Sequence, residues 1–327
     1  MDPAVGLPVK IRRSIALGAL IVLLPLWAHD RGFVTAVPRD SDWVGRTARL
    51  EKRIMVQHRV MRVLDTGGGS PAVLLLHGWS DSSYTWRELI PRLEDRYRLI
   101  APDWPGFGYS DKRGPAMGYG DLARLCAGLL DELGLDRAVV VGNSMGGGAA
   151  VRFAADFPDR TLGLVAVDAA AGMSHDEGPW LQSLLTTDGV NLAAVWIMGR
   201  LTYRISLITA VADGDSVTAE VVEEMYRPLN TPGGRVAMLE QFIHIRGEPV
   251  TRADVERIRA PTLILWGRDD SWLPLAAAER LHAWIPGSRL EVLDGVGHLP
   301  QWEAPQKTAE LIDEFARTLG TRGRSIR

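Results

Sequence analysis

The chain has 327 residues, of which 46% are hydrophobic and 24% charged, and carries a formal net charge of −3. That is the make-up of a globular protein with a sizeable core, and it offers no basic field with which to hold nucleic acid, so none is expected as a partner. A single cysteine, Cys126, excludes a disulfide framework within the chain. No Cys/His spacing suggests a metal, and no cofactor is expected.

Lys10, Arg12 and Arg13 precede an uncharged apolar run over residues 14–28. A basic flank followed by such a run reads as a signal anchor or a cleaved signal peptide, being shorter than the ~20 residues of an ordinary spanning helix. Leu26-Trp27-Ala28 makes a poor cleavage site, so an uncleaved anchor is preferred. In either case the positive flank is retained inside. The domain that follows is therefore expected outside the cytoplasm, on the periplasmic or extracellular side, and secreted if the signal is cleaved. Residues 29–50 serve as a connecting segment.

Beyond residue 50, short apolar runs alternate with helical patterns. Strands are expected over residues 56–63, 72–76, 98–101, 138–141, 164–167, 262–266 and 289–293. Several are continuous runs of β-branched and aliphatic residues, as in a mostly parallel sheet with helices on both faces. Residues 121–133 form a helix pattern in which Cys126 reads as a buried structural thiol. Val139-Val140-Val141 runs into Gly142-Asn143-Ser144-Met145-Gly146, followed by small, helix-compatible residues. A serine between two glycines at a strand-to-helix junction places its hydroxyl at the apex of a strained turn. Downstream, Gly267-Arg268-Asp269-Asp270 and Gly295-Val296-Gly297-His298 each follow a strand. A hydroxyl is a poor nucleophile without a base, and the base needs an orienting carboxylate. Both are thus offered at the strand ends where open α/β sheets build their sites.

Together with His77-Gly78-Trp79-Ser80, Asp103-Trp104-Pro105-Gly106-Phe107-Gly108-Tyr109-Ser110 and Glu303-Ala304-Pro305, these motifs resemble the α/β-hydrolase superfamily over residues 55–318. The resemblance implies an α/β-hydrolase core over residues 51–171 and 251–327. The order Ser144, Asp270, His298 matches the family's catalytic order. It further implies an oxyanion hole from the backbone N–H groups of Met145 and Trp79. Asp269 and Asp270 are adjacent; the family pattern favours Asp270, and Asp168 is a third candidate because some members carry the acid there. His77 is expected to brace the oxyanion loop, Asp103 to cap its turn and Glu303 to order the histidine loop. His29, His58, His175, His244 and His282 read as surface or packing residues.

Residues 172–250 break the strand–helix alternation. They are helical in pattern and rich in large apolar residues, among them Trp180, Leu184, Leu185, Trp196, Ile197, Met198, Tyr203, Met225, Tyr226, Met238 and Phe242. An insertion here in an α/β-hydrolase is a helical lid, some of whose residues line an apolar pocket. The serine disfavours the dehalogenases and epoxide hydrolases of the superfamily, which use aspartate. The expected activity is hydrolysis of a carboxylic ester, small-molecule or lipid, through an acyl-enzyme, as in membrane-anchored lipase-like esterases. One alternative is a carbon–carbon hydrolase of aromatic meta-cleavage products. Against it, the loop reads His77-Gly78-Trp79-Ser80-Asp81-Ser82 where those enzymes carry His-Gly-x-Gly-Pro-Gly. The other is a non-catalytic binding protein of the same fold.

Overall fold

The computed structural model describes residues 42–173, 199–231 and 233–322. The apolar run at 14–28 and the insertion residues Trp180, Leu184, Leu185, Trp196, Ile197 and Met198 lie outside them. Among the described residues no helix is long and apolar enough to cross a membrane.

Eight strands form one sheet: β1 (Glu51–Val56), β2 (Arg59–Asp65), β3 (Ala72–Leu76), β4 (Arg98–Pro102), β5 (Ala138–Ser144), β6 (Thr161–Ala169), β7 (Thr262–Gly267) and β8 (Arg289–Leu293). Their order is β1-β2-β4-β3-β5-β6-β7-β8. β2 runs antiparallel to both neighbours, and every pair from β4 to β8 is parallel. β3 and β5 lie at the centre, and Val73–Leu76 and Val139–Val141 are fully buried. A strand covered on both faces has no solvent side to keep polar, which explains the unbroken apolar runs.

One expected strand is corrected. Residues 56–63 are not one strand: Val56 ends β1, Gln57 and His58 form the turn of a β1–β2 hairpin, and 59–63 belong to β2. Gln57 and His58 take φ values of 48° and 65°, and Val56 pairs with Arg59 across them. Two left-handed residues match the twist of the flanking strands, a geometry usually given to Asn-Gly. No glycine or asparagine marked it here. His58 is exposed at the tip.

Helices α1 (Tyr119–Glu132) and α2 (Met145–Asp156) flank β5 in sequence, α6 (Leu275–Trp284) crosses from β7 to β8, and α7 (Pro305–Arg322) follows β8. Cys126 is buried in α1. Between β6 and β7 the described residues form α3 (Arg200–Ala210), α4 (Ala219–Leu229) and α5 (Gly234–Gly247). The insertion leaves and rejoins the core at one point, where Ala171 makes a parallel bridge to Val250. α3 buries Tyr203, Leu207 and Ala210, one stripe at helical spacing, and exposes Leu201, Ile205 and Ile208.

Candidate active site

Ser144 is the last residue of β5, and α2 starts at Met145. Its φ of 55° and ψ of −119° are unusual for a residue with a Cβ, and such strain persists only where the surroundings impose it. They do so through close packing. A Cβ on Gly146 would lie well inside contact distance of the Leu76 and His77 carbonyls, and one on Gly142 would collide with the Gly146 carbonyl. The two glycines therefore let α2 approach the end of β3 closely enough to force the sharp turn.

His298 and Asp270 meet beside it. His298 Nδ1 lies 2.7 Å from Asp270 Oδ2, and both side chains are buried. Asp270 Oδ1 accepts the backbone N–H groups of Trp272 (2.7 Å) and Leu273 (3.0 Å), so its carboxylate is fixed by three donors. Asp269 is exposed and does not face the imidazole. With Nδ1 committed to the carboxylate, His298 Nε2 is buried without a partner, and His298 and Ser144 line the same pocket. An imidazole so held can take a hydroxyl proton on Nε2. Glu303 accepts from the N–H groups of Gly297 (2.9 Å), Leu299 (3.0 Å) and Ala212 (2.7 Å), ordering the histidine loop and tying it to the insertion.

The loop after β3 is held from both sides. His77 is completely buried; its Nε2 accepts the Trp104 N–H at 2.9 Å and its Nδ1–H donates to the Gly78 carbonyl at 2.8 Å. Burial is the main cause that pushes this histidine down to about 4, so it is neutral. Asp103 accepts from the N–H groups of Ser83 (2.6 Å) and Tyr109 (2.8 Å), capping its own turn and anchoring the far end of the loop. From the insertion, the Tyr203 hydroxyl donates to the Ser80 carbonyl at 2.7 Å, and Trp79 Nε1 donates to the Met238 carbonyl at 2.8 Å. Gly78 backs directly onto Ser144, where a Cβ would lie 3.2 Å from the serine Cβ. Among the described residues the backbone N–H groups of Trp79 and Met145 donate to no protein acceptor. Two such free amides can hold a developing oxyanion.

The pocket is small, about 20 Å³ of free space. Apart from Ser144, His298 and the loop 78–81, its walls include Leu207, Ala210 and Met225 of the insertion, with Trp272 and Leu299. No lysine or arginine lines it among the described residues. Burial pushes the Asp81 carboxyl up to about 7, against hydrogen bonds from the Ser82 N–H and Thr85. Asp168, Asp270 and His298 bring one ligand atom each within 4.8 Å of one another, the one group of described residues with the donor set for a metal. In it His298 and Asp270 are already bonded to each other.

Two participants, Asn143 and Trp272, escaped the sequence reading, and Asp168, a candidate for the acid, takes another place. Asn143 Nδ2 donates to the His298 carbonyl at 3.0 Å. Trp272 lays its ring against the imidazole, with centroids 5.2 Å apart, while its N–H holds Asp270. Asp168 is not bonded to His298 but supports the acid loop, accepting the Gly267 N–H at 3.0 Å. For Trp272 a signal existed, since a carboxylate commonly accepts the N–H two residues on.

The α/β hydrolase fold family matches residues 71–305. A 2-hydroxy-6-oxononadienedioate/2-hydroxy-6-oxononatrienedioate hydrolase of Burkholderia vietnamiensis is 34% identical over 265 residues, covering 77% of this chain and 89% of that one. Among solved structures, a meta-cleavage product hydrolase from Pseudomonas fluorescens superimposes with a TM-score of 0.71 at 26% identity, covering 83% of this chain and 99% of that one. A thermophilic esterase from Thermogutta terrifontis does so with 0.69 at 27% identity, covering 82% and 98%. With its fold, motif order and site geometry in agreement, this chain belongs to the α/β-hydrolase family.

Proposed function

We propose that this protein is a serine hydrolase that cleaves a bond to a carbonyl carbon. Ser144 attacks the carbonyl, His298 Nε2 takes the hydroxyl proton, and Asp270 steadies the imidazolium. The amides of Trp79 and Met145 donate to the oxyanion. The proton then passes to the leaving group, and water releases the acyl group from Ser144 by the same route. The observation that carries this reading is the pairing of a buried, free Nε2 with a serine on a strained elbow in one pocket.

Of the two bond types, carbon–carbon cleavage has the support of the relatives with a named activity, at 34% and 26% identity. In that reaction the leaving group is a carbon, and the proton held on His298 passes to it. The carboxylic ester expected from the sequence becomes the second reading. One observation favours it: the described pocket wall has no cation, and residues 172–198 contain no lysine or arginine. A dioate would enter such a site with its charges uncompensated, at considerable desolvation cost. The Thermogutta esterase gives the ester reading a relative as well.

Turnover of a 2-hydroxy-6-oxo-dienoate, measured beside p-nitrophenyl esters of graded chain length, separates the two. A higher kcat/KM for the dienoate establishes carbon–carbon cleavage. Ester turnover without dienoate turnover establishes the esterase. Failure with both, and with a fluorophosphonate probe, would leave the fold as a binding protein. We also propose that residues 14–28 hold the enzyme at a membrane with the hydrolase domain outside the cytoplasm, a reading supported by the basic residues that precede the run.

A further inference from the structure

Asp168 is placed by an irregularity in the sheet. Asn143 pairs with Val167 and Ser144 with Ala169, so Asp168 is an extra residue bulged out of β6 beside the serine. Its φ of 38° lies in the left-handed region, which few non-glycine residues occupy. Bulges next to active sites re-aim a side chain. This one turns a carboxyl into the fully buried space between the ends of β6 and β7.

There the carboxyl has too few partners. Oδ1 accepts the Gly267 N–H at 3.0 Å, while Oδ2 is buried with no hydrogen-bond donor. The remaining groups that face it are Asp270, His298 and the more distant Glu303. Two carboxylates in buried contact cannot both ionise. The proton goes where the anion is held worse. Asp270 has three donors, from Trp272, Leu273 and His298, whereas Asp168 has one. Burial first, then the Asp270 charge, raises Asp168 well above the ordinary carboxylate range.

We propose that Asp168 is a neutral carboxylic acid whose O–H donates to the Asp270 carboxylate, making it a positioning residue for the Asp270–His298 pair. The orphaned Oδ2 thereby acquires its partner, and the strained bulge acquires a purpose. Asp270 gains a donor beside those from Trp272, Leu273 and His298. Its basicity toward His298 is also tempered, because part of its charge is taken up by the acid proton. The inference rests on the reading of Ser144, Asp270 and His298 as the reacting set.

The test compares Asp168→Asn, which keeps a neutral donor, with Asp168→Leu, which removes it while keeping the same branching. Each is followed by the rate of fluorophosphonate labelling of Ser144 and its pH profile, with melting temperatures alongside. Asp168→Asn should label within a few-fold of wild type with its acid limb unmoved. Asp168→Leu should label at least about tenfold more slowly, with the limb moved to higher pH as Asp270 becomes more basic. A limb that moves to lower pH in Asp168→Asn would show that a negative charge had been lost there, and would overturn the proposal. That result can be read even if Asp168→Leu fails to fold. Labelling of Asp168→Leu at the wild-type rate also overturns it. Wild-type protein that does not label at all would instead bring down the reading of Ser144, and this proposal with it.

Discussion

The side-chain amide of Asn143 donates to the backbone carbonyl of His298 at 3.0 Å, so the residue before the serine holds the loop that carries the histidine. The same amide lies 3.3 Å from the Val167 carbonyl. One buried side chain therefore sets the relative position of β5, β6 and the histidine loop. Asn143→Ala should leave both carbonyls unsatisfied and destabilise the fold by about 1–3 kcal/mol. Its kcat should fall together with its melting temperature. A variant with wild-type kcat would show that the loop needs no such tie.

Ser144→Ala should remove hydrolysis while leaving the fold intact, since it deletes only a hydroxyl. Loss of a nucleophile from such a set costs about 10⁴-fold or more in kcat. Circular dichroism should match wild type, and residual turnover near the wild-type rate would refute the nucleophile.

Asp270→Asn should cripple turnover where Asp269→Asn does not. Only Asp270 reaches His298 Nδ1, at 2.7 Å, and an amide there misplaces the imidazole proton, at a cost on the order of 10⁴ in kcat. Asp269 is exposed, so its neutralisation should change kcat less than about twofold. Steady-state kinetics of the two variants decide the matter, and a reversed order would reassign the acid.

His77 makes stability depend on pH. Its folded pKa, depressed to about 4 chiefly by burial, lies below the ordinary histidine value, so the unfolded chain protonates first as pH falls. The contribution of neutral His77 is fully present above about pH 6.5 and is lost progressively toward pH 4, by at most about 1.4 kcal/mol per pH unit. Urea unfolding across that window should show the loss. His77→Gln, which cannot titrate, should be less stable at pH 7 and flatter below it. An equally steep variant would assign the slope to another group.

Removal of residues 1–28 should release an active protein from the membrane fraction. The run at 14–28 is the apolar segment that anchors the chain in this reading, and every motif of the site lies beyond residue 70. Fractionation of cells expressing the two forms measures it. Full-length protein recovered wholly in the cytosol would remove the anchor.

What could be read from the sequence was what short stretches decide by themselves. The β-branched run Val139-Val140-Val141 leading into a glycine-flanked serine reads as a buried strand entering a tight turn, and that strand and turn are what the structure has. The order of Ser144, Asp270 and His298 at the ends of β5, β7 and β8 survived into three dimensions because a parallel sheet puts all those ends on one edge. Tertiary structure decided the rest. Gln57-His58 has no turn-forming signature, and only the pairing of β1 with β2 holds both residues left-handed. Asp168 and Asp270 are equal as letters. One bulge in β6, against two amides following Asp270 in its own loop, made one the carboxylate on His298 and left the other short of donors. The difference between them lies in their neighbours: two amides of its own loop and His298 for Asp270, a single amide from β7 for Asp168.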